Sequence, residues 1–154
     1  MRISSKTSIG IHIMLLVALY GDKCKLTGTI ISRSTGTNPV ITRNLLSDLQ
    51  RAGLIIITRG VGGTQLARPL ETISVYDIFC ATDAENPKDI IAIHSKPNPN
   101  CPVGAIINDV LETPYTRIND AIAQVMKNEM LIDLVDIVKK TRPNWLEVIR
   151  PIAK

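Results

Sequence analysis

From Pro39 to Ala52 the apolar side chains Ile41, Leu45, Leu49 and Ala52 recur at helical spacing, while Asn38, Val40, Arg43, Ser47 and Gln50 fall on other sides. That pattern predicts an amphipathic helix with one stripe against a core. Asn38 followed by Pro39 is a helix start, because an Asn caps orphan N–H groups and a Pro at the first helical position has no N–H to satisfy. Gly53 closes the helix at C′. Leu54 to Thr58 and Gln65 to Ala67 then predict two short strands around Arg59-Gly60-Val61-Gly62-Gly63-Thr64, a loop whose three glycines permit positive φ.

Upstream, Lys6 to Leu19 predicts a helix apolar around most of its surface, ended by Gly21-Asp22. Thr27 caps a second helix through Ile30, Ile31 and Ser32 to Ser34, and Gly36 makes the turn before Asn38-Pro39. Ser74-Val75-Tyr76-Asp77 matches a capping box, with Asp in place of the usual Glu or Gln, and opens a short helix to about Ala81. Helix, short helix, turn, helix and hairpin is the order of a winged helix-turn-helix, a fold whose third helix reads DNA.

The region from 85 to 102 predicts a loop, since Pro87, Pro97, Pro99 and Pro102, with Asn98 and Asn100, leave no room for sustained helix. Beyond it Val103, Ile106, Ile107, Val110 and Leu111 fall at i, i+3, i+4, i+7 and i+8. Thr113-Pro114 breaks or kinks that helix and can start another, with Ile118, Ala121, Ile122, Val125 and Met126 continuing the pattern. Such a stripe packs either on its own domain or on the same helix of a second subunit. The second reading is preferred, because helix-turn-helix proteins read symmetric sites as dimers. It assigns the seam to Val103, Ile106, Ile107, Val110, Ile118 and Ile122. The expected fold is therefore mainly α with a small β-hairpin: a winged helix-turn-helix domain over 1–84, a loop over 85–102, a long C-terminal dimerisation helix region over 103–140, and a tail over 141–154.

Composition sharpens this picture. The 154 residues hold only one Trp, one Phe and three Tyr, so the core is aliphatic and the aromatic platforms that stack single strands are lacking. Residues 1–68 carry nine Lys/Arg against two acids, +7, whereas residues 69–154 carry nine against twelve, −3. A basic module joined to a mildly acidic one fits a polyanion-binding unit with a separate assembly or sensing unit. No basic amphipathic helix with aromatic anchors is present, so no membrane partner is expected. The apolar run Ile9 to Tyr20 holds His12, lacks a small-residue cleavage site and is too short to span a bilayer, which predicts a cytoplasmic protein. Three widely spaced cysteines, Cys24, Cys80 and Cys101, argue against a disulfide framework or a zinc site. No nucleophile-base-orienter set, phosphate loop or metal cage is visible, and no enzymatic activity is expected.

Thr37, Asn38, Val40 and Arg43 are expected to meet double-stranded DNA, since recognition helices present their N-terminal residues to base edges; Asn38 is alternatively only a cap. Arg59 on a narrow glycine loop suits a minor groove of enhanced negative potential. Lys6 and Thr27, at helix starts, are expected phosphate anchors. If Pro102 opens the long helix, Cys101 occupies its cap, where a helix N-terminus lowers a thiol's pKa; the alternative is an inert cysteine. Cys24, between Lys23 and Lys25, is a second redox candidate, whereas Cys80 fits a core. His12 and His94 lack a second ligand at helical spacing, so no metal site is expected.

Several segments in this order, Ile3-Ser4-Ser5-Lys6, Leu49-Gln50-Arg51-Ala52-Gly53-Leu54, Arg59-Gly60-Val61-Gly62-Gly63, Leu66-Ala67-Arg68-Pro69 and Ile73-Ser74-Val75-Tyr76-Asp77-Ile78, make nearly the whole chain resemble the Rrf-two family of bacterial winged-helix transcriptional regulators. The resemblance implies a homodimer that crosses its long helices and binds an imperfect inverted repeat, most simply as a repressor. Members that hold an iron-sulfur cluster carry three cysteines before the dimer helix, whereas Ile93 to Val103 offers only Cys101, with His94 nearby. The segment Asn98 to Gly104 looks like the cluster-free branch, so no cofactor is expected. The resemblance also allows a metabolic enzyme as an alternative partner.

Overall fold

The computed structural model describes residues 5–58, 60, 63–83, 90–91 and 93–145. Helix α1 (Ser5–Tyr20) is the central element, with Ile13, Met14, Leu16, Val17, Leu19 and Tyr20 all buried. Around it stand α2 (Gly28–Thr35), α3 (Pro39–Arg51) and α4 (Val75–Thr82), with an antiparallel hairpin of β1 (Ile55–Thr58) and β2 (Gly63–Leu66) beyond α3. The hairpin pairs Ile55 with Leu66 and Thr58 with Gly63. Its second strand begins two residues before the expected Gln65. Gly63, at φ 98°, lies so near the backbone of Lys25 and Leu26 that an added Cβ would sit 3.1 Å from the Leu26 nitrogen. The Thr64 amide and hydroxyl then both donate to the Leu26 carbonyl at 3.1 Å, which pins the hairpin to the chain before α2.

The predicted starts hold locally. The Thr27 hydroxyl accepts the Ile30 amide at 3.3 Å, and Ser74 with Asp77 forms a complete capping box. Each such cap is worth about 1 kcal/mol.

The C-terminal region departs from expectation in three ways. Helix α5 (Ile107–Asn128) is one helix that runs through Pro114, not two. The Val110 carbonyl that Pro114 cannot satisfy belongs to an exposed turn, with Val110 itself 55% exposed, so it is open to solvent. Residues 102–106 form turns, so Val103 and Ile106 precede the helix although their spacing continues its stripe. Helix α6 (Leu131–Thr141), which the sequence groups with the long helix, returns to the N-terminal core: Leu131 and Val135 join its buried cluster. Two backbone bonds of 2.8 Å fix that return, Val75 N–H to the Glu129 carbonyl and Leu131 N–H to the Ile73 carbonyl.

Candidate nucleic-acid interface

The inner face of α3 consists of Thr42, Leu45, Leu46 and Leu49, all buried. Ile41 and Ala52, placed in the apolar stripe by the sequence, are exposed instead, Ile41 by 45%. The stripe is rotated because Thr42, polar by type, finds partners inside. Its hydroxyl lies 2.7 Å from that of Thr37, which lies 2.7 Å from that of Thr35, and Thr35 donates to the Ile31 carbonyl at 3.0 Å. Three hydroxyls thereby tie the last turn of α2 to the first turns of α3. Gly36 makes the tight reversal between them in the left-handed region at φ 64°, where a Cβ would add strain.

Rotation of the stripe defines the outer face. Val40, Arg43, Asn44 and Ser47, at i, i+3, i+4 and i+7, are all exposed along it. Asn44 is the member that the sequence reading missed; counting the helical repeat from Val40 would have found it. Thr37, grouped there by sequence, has its hydroxyl committed inward. Asn38 performs the bland alternative, with Oδ1 accepting the Val40 amide at 2.8 Å. Among the described residues Arg43 forms no salt bridge, whereas Arg51 pairs with Asp48 at 3.3 Å and Arg68 with Asp77 at 3.1 Å. Lys25 and Arg33 are further exposed cations of this module, and Lys6 is exposed on the first turn of α1. Thr27 is half-buried, with its hydroxyl in the α2 cap. Arg59, Val61 and Gly62 lie outside the described residues, so the expected wing contact is not located.

The long helix presents a second surface. None of its side chains is buried, and Val103, Ile106, Val110 and Ile118 are 63%, 52%, 55% and 41% exposed, while Ile107 and Ile122 are half-buried. Val125, 61% exposed, extends the same stripe. On another side α5 borders a cleft of about 720 Å³ of mixed character, lined by Tyr76 of α4, by Ile91 and Ile93, and by Glu112, Tyr115, Asn119 and Lys127 of α5, among others. The Ile91 amide crosses to Asn119 Oδ1 at 2.9 Å.

The three cysteines are separate and free. Cys101 is exposed, and the backbone N–H groups of Gly104 and Val103 draw its pKa below the usual thiol value. The cause differs from the expected helix start, since α5 begins at Ile107; a local turn supplies the N–H groups instead. Cys24 runs against expectation, because burial pushes its pKa up. The Lys23 ammonium that was to favour its thiolate sits over the Trp145 ring, 3.8 Å from the centroid. Burial is also the largest cause raising Cys80. Among the described residues no three His, Cys, Asp or Glu side chains gather as a metal site. One exposed thiol on a turn, with the other two on separate elements, does not fit the ligand set of an iron-sulfur cluster. No helix of the described residues is long and apolar enough to cross a membrane.

Comparison with known proteins places these features in one group. The family model described as Rrf2, iron-dependent transcriptional regulator, matches residues 3–137. The YwnA protein of Bacillus subtilis strain 168 is 30% identical over 134 residues, covering 87% of this chain and 97% of its own. The HTH-type transcriptional regulator IscR of Vibrio vulnificus is 26% identical, covering 86% of this chain and 79% of its own. Among solved structures, the oxidised form of Staphylococcus aureus CymR superimposes with a TM-score of 0.65 at 26% identity, covering 88% of this chain and 96% of its own.

Proposed function

Since the chain belongs to the Rrf2 family of transcriptional regulators, whose model spans residues 3–137, we propose that it is a sequence-specific DNA-binding repressor that acts as a homodimer and answers to the thiol state of Cys101. The observation that carries the DNA reading is the outer face of α3, where Val40, Arg43, Asn44 and Ser47 stand exposed on a module whose core and caps are otherwise closed. Helix N-terminal residues on such a face reach base edges in the major groove. Lys6 and Thr27 are its phosphate anchors and Arg59 its minor-groove contact in this reading, and phosphates supply most of the affinity. Thr37 and Asn38 support the interface by holding α3 in place.

The dimer reading rests on α5, whose stripe leaves Val103, Ile106, Val110, Ile118 and Val125 exposed while Ile107 and Ile122 are half-buried among the described residues. Two such stripes cover each other in a symmetric seam, and the paired recognition helices then address half-sites about one turn, or roughly 34–36 Å, apart. Cys101 stands on the turn just before that seam, exposed and with a lowered pKa. Its oxidation would add a polar group where the domain meets the dimer helix, and a typical coupling of about 1–3 kcal/mol weakens binding roughly 5- to 150-fold.

A salt titration of binding to the protein's own promoter fragment tests the reading. Affinity should fall steeply with salt, and Arg43→Ala and Arg59→Ala should weaken it while the circular dichroism spectrum stays unchanged. Binding that ignores salt, or both variants matching wild type, would mean that this face does not meet DNA.

A further inference from the structure

We propose that Val40, Arg43 and Asn44 divide each half-site among three adjacent bases, Val40 covering a thymine methyl, Arg43 reading a guanine and Asn44 an adenine. This rests on α3 being the recognition helix, and it assigns the bases that the helix selects.

The argument starts from exposure. Val40 is 59% exposed at the second helical position, and its amide is already satisfied by Asn38 Oδ1 at 2.8 Å. A stiff, branched apolar side chain there is left mostly uncovered by the described chain. In the major groove the apolar feature is the C5-methyl of thymine, which makes Val40 a methyl contact.

Arg43 lies one turn further on the same face and is without an acidic partner among the described residues. Its fork matches the two acceptors O6 and N7 that guanine presents, the commonest specific pairing in the groove. Arg51, by contrast, is held by Asp48 at the far end of the helix.

Asn44 is exposed beside Arg43, and its amide offers one donor and one acceptor in a plane. Adenine presents the complementary pair, N7 and N6–H₂, so Asn44 selects adenine. Ser47 hydroxyl chemistry suits either kind of base and carries no preference.

Geometry sets the reach. From Val40 to Asn44 the helix rises about 6 Å. That length is close to two base-pair steps of B-DNA, about 7 Å, which span three adjacent base pairs. The Thr35–Thr37–Thr42 hydroxyl chain and the Asn38 cap hold these positions in register with the rest of the module. None of the three readers is itself buried in the core, so each can be replaced without opening a cavity.

Selection from a random duplex pool, followed by sequencing of the bound fraction, tests the assignment on the full-length wild type and on Val40→Ser, Arg43→Ala and Asn44→Ala. Wild type should select T, G and A at three neighbouring positions of each half-site. Arg43→Ala should flatten only the G, and Asn44→Ala only the A, each by roughly 5- to 150-fold. Replacing the selected T by uracil, which lacks the methyl, should weaken wild type about fourfold and leave Val40→Ser unchanged. Variants that bind more weakly but keep the wild-type preferences would overturn the assignment and put these side chains on phosphates. Wild type that retains duplexes without any consensus would likewise overturn it. A wild type that retains no duplex at all would overturn the DNA-binding reading itself.

Discussion

Helices α3 and α5 are both strongly amphipathic, yet the chain treats their apolar sides differently. In α3 the side chains of Leu45, Leu46 and Leu49 are buried in a core shared with α1, α2 and α4, and the solvent side is polar apart from Val40 and Ile41. In α5 no residue is buried: Leu111, Ile122 and Met126 are half-buried, and Val110, Ile118 and Val125 stay exposed. Amphipathicity therefore marks a helix that needs a partner, and only the packing tells whether the partner is the same chain. A largely exposed apolar stripe on a 22-residue helix is what a docking surface for another molecule would present.

The comparison breaks most sharply if the α5 stripe is charged. Val110→Asp combined with Ile118→Asp should leave each protomer folded, because both positions are exposed, but should convert the dimer to monomers and abolish specific DNA binding. Carboxylates facing each other in an apolar seam cost several kcal/mol, which is more than a hundredfold in dissociation constant. Light scattering across micromolar concentrations gives the mass directly. A wild type that is monomeric there, or a double variant that stays dimeric, removes α5 as the seam.

The inner face of α3 should behave in the opposite way. Leu49→Ala, at a position with 0% exposure, opens a cavity inside one chain and should lower unfolding free energy by about 2–5 kcal/mol. Denaturant unfolding of the monomeric Asp double variant reads that loss free of any dimer contribution. Loss below about 1 kcal/mol would mean that Leu49 is not packed as described.

A smaller effect is expected at the hydroxyl chain. Thr42→Val keeps the shape but deletes the bond to Thr37, and should cost about 1 kcal/mol of stability. Operator binding should weaken more than stability alone explains, since this chain orients α3 relative to α2. Thr42→Ser, which keeps the hydroxyl, should restore binding at lower stability; failure to do so would separate the hydroxyl from orientation.

Cys101 should give the smallest effect on stability, because it is exposed and makes no packing contact that matters to the core. Its signature is kinetic. A lowered pKa means that thiolate is present at lower pH than for Cys24, whose pKa burial raises. Alkylation of Cys101 should therefore be faster at neutral pH and should level off at lower pH than that of Cys24. Mass spectrometry of peptides after a short pulse of iodoacetamide ranks the two, and a reversed order would remove Cys101 from the thiol response.

Local features were legible in the chain because they depend on neighbours in sequence. Asn38-Pro39, Thr27, the Ser74–Asp77 capping box and the glycine positions around the hairpin each satisfy or release backbone groups a few residues away, and each appears where the residues predict it. The family resemblance drew on two of these signals, the capping box and the hairpin glycines, together with the segments at 3–6, 49–54 and 66–69. Three things were settled only by tertiary packing and exposure to solvent. Thr42 turned inward because Thr37 supplied a partner for its hydroxyl, which rotated the face of α3 and brought Asn44 outward. Pro114 stayed inside one helix because the turn it disrupts is open to water. Leu131 and Val135 left the long helix's company for the N-terminal core built on α1 (Ser5–Tyr20), far away along the chain, through backbone bonds at Ile73 and Val75. Periodicity says that a face is apolar, whereas the contacts that face makes depend on which distant surface reaches it first and covers it best.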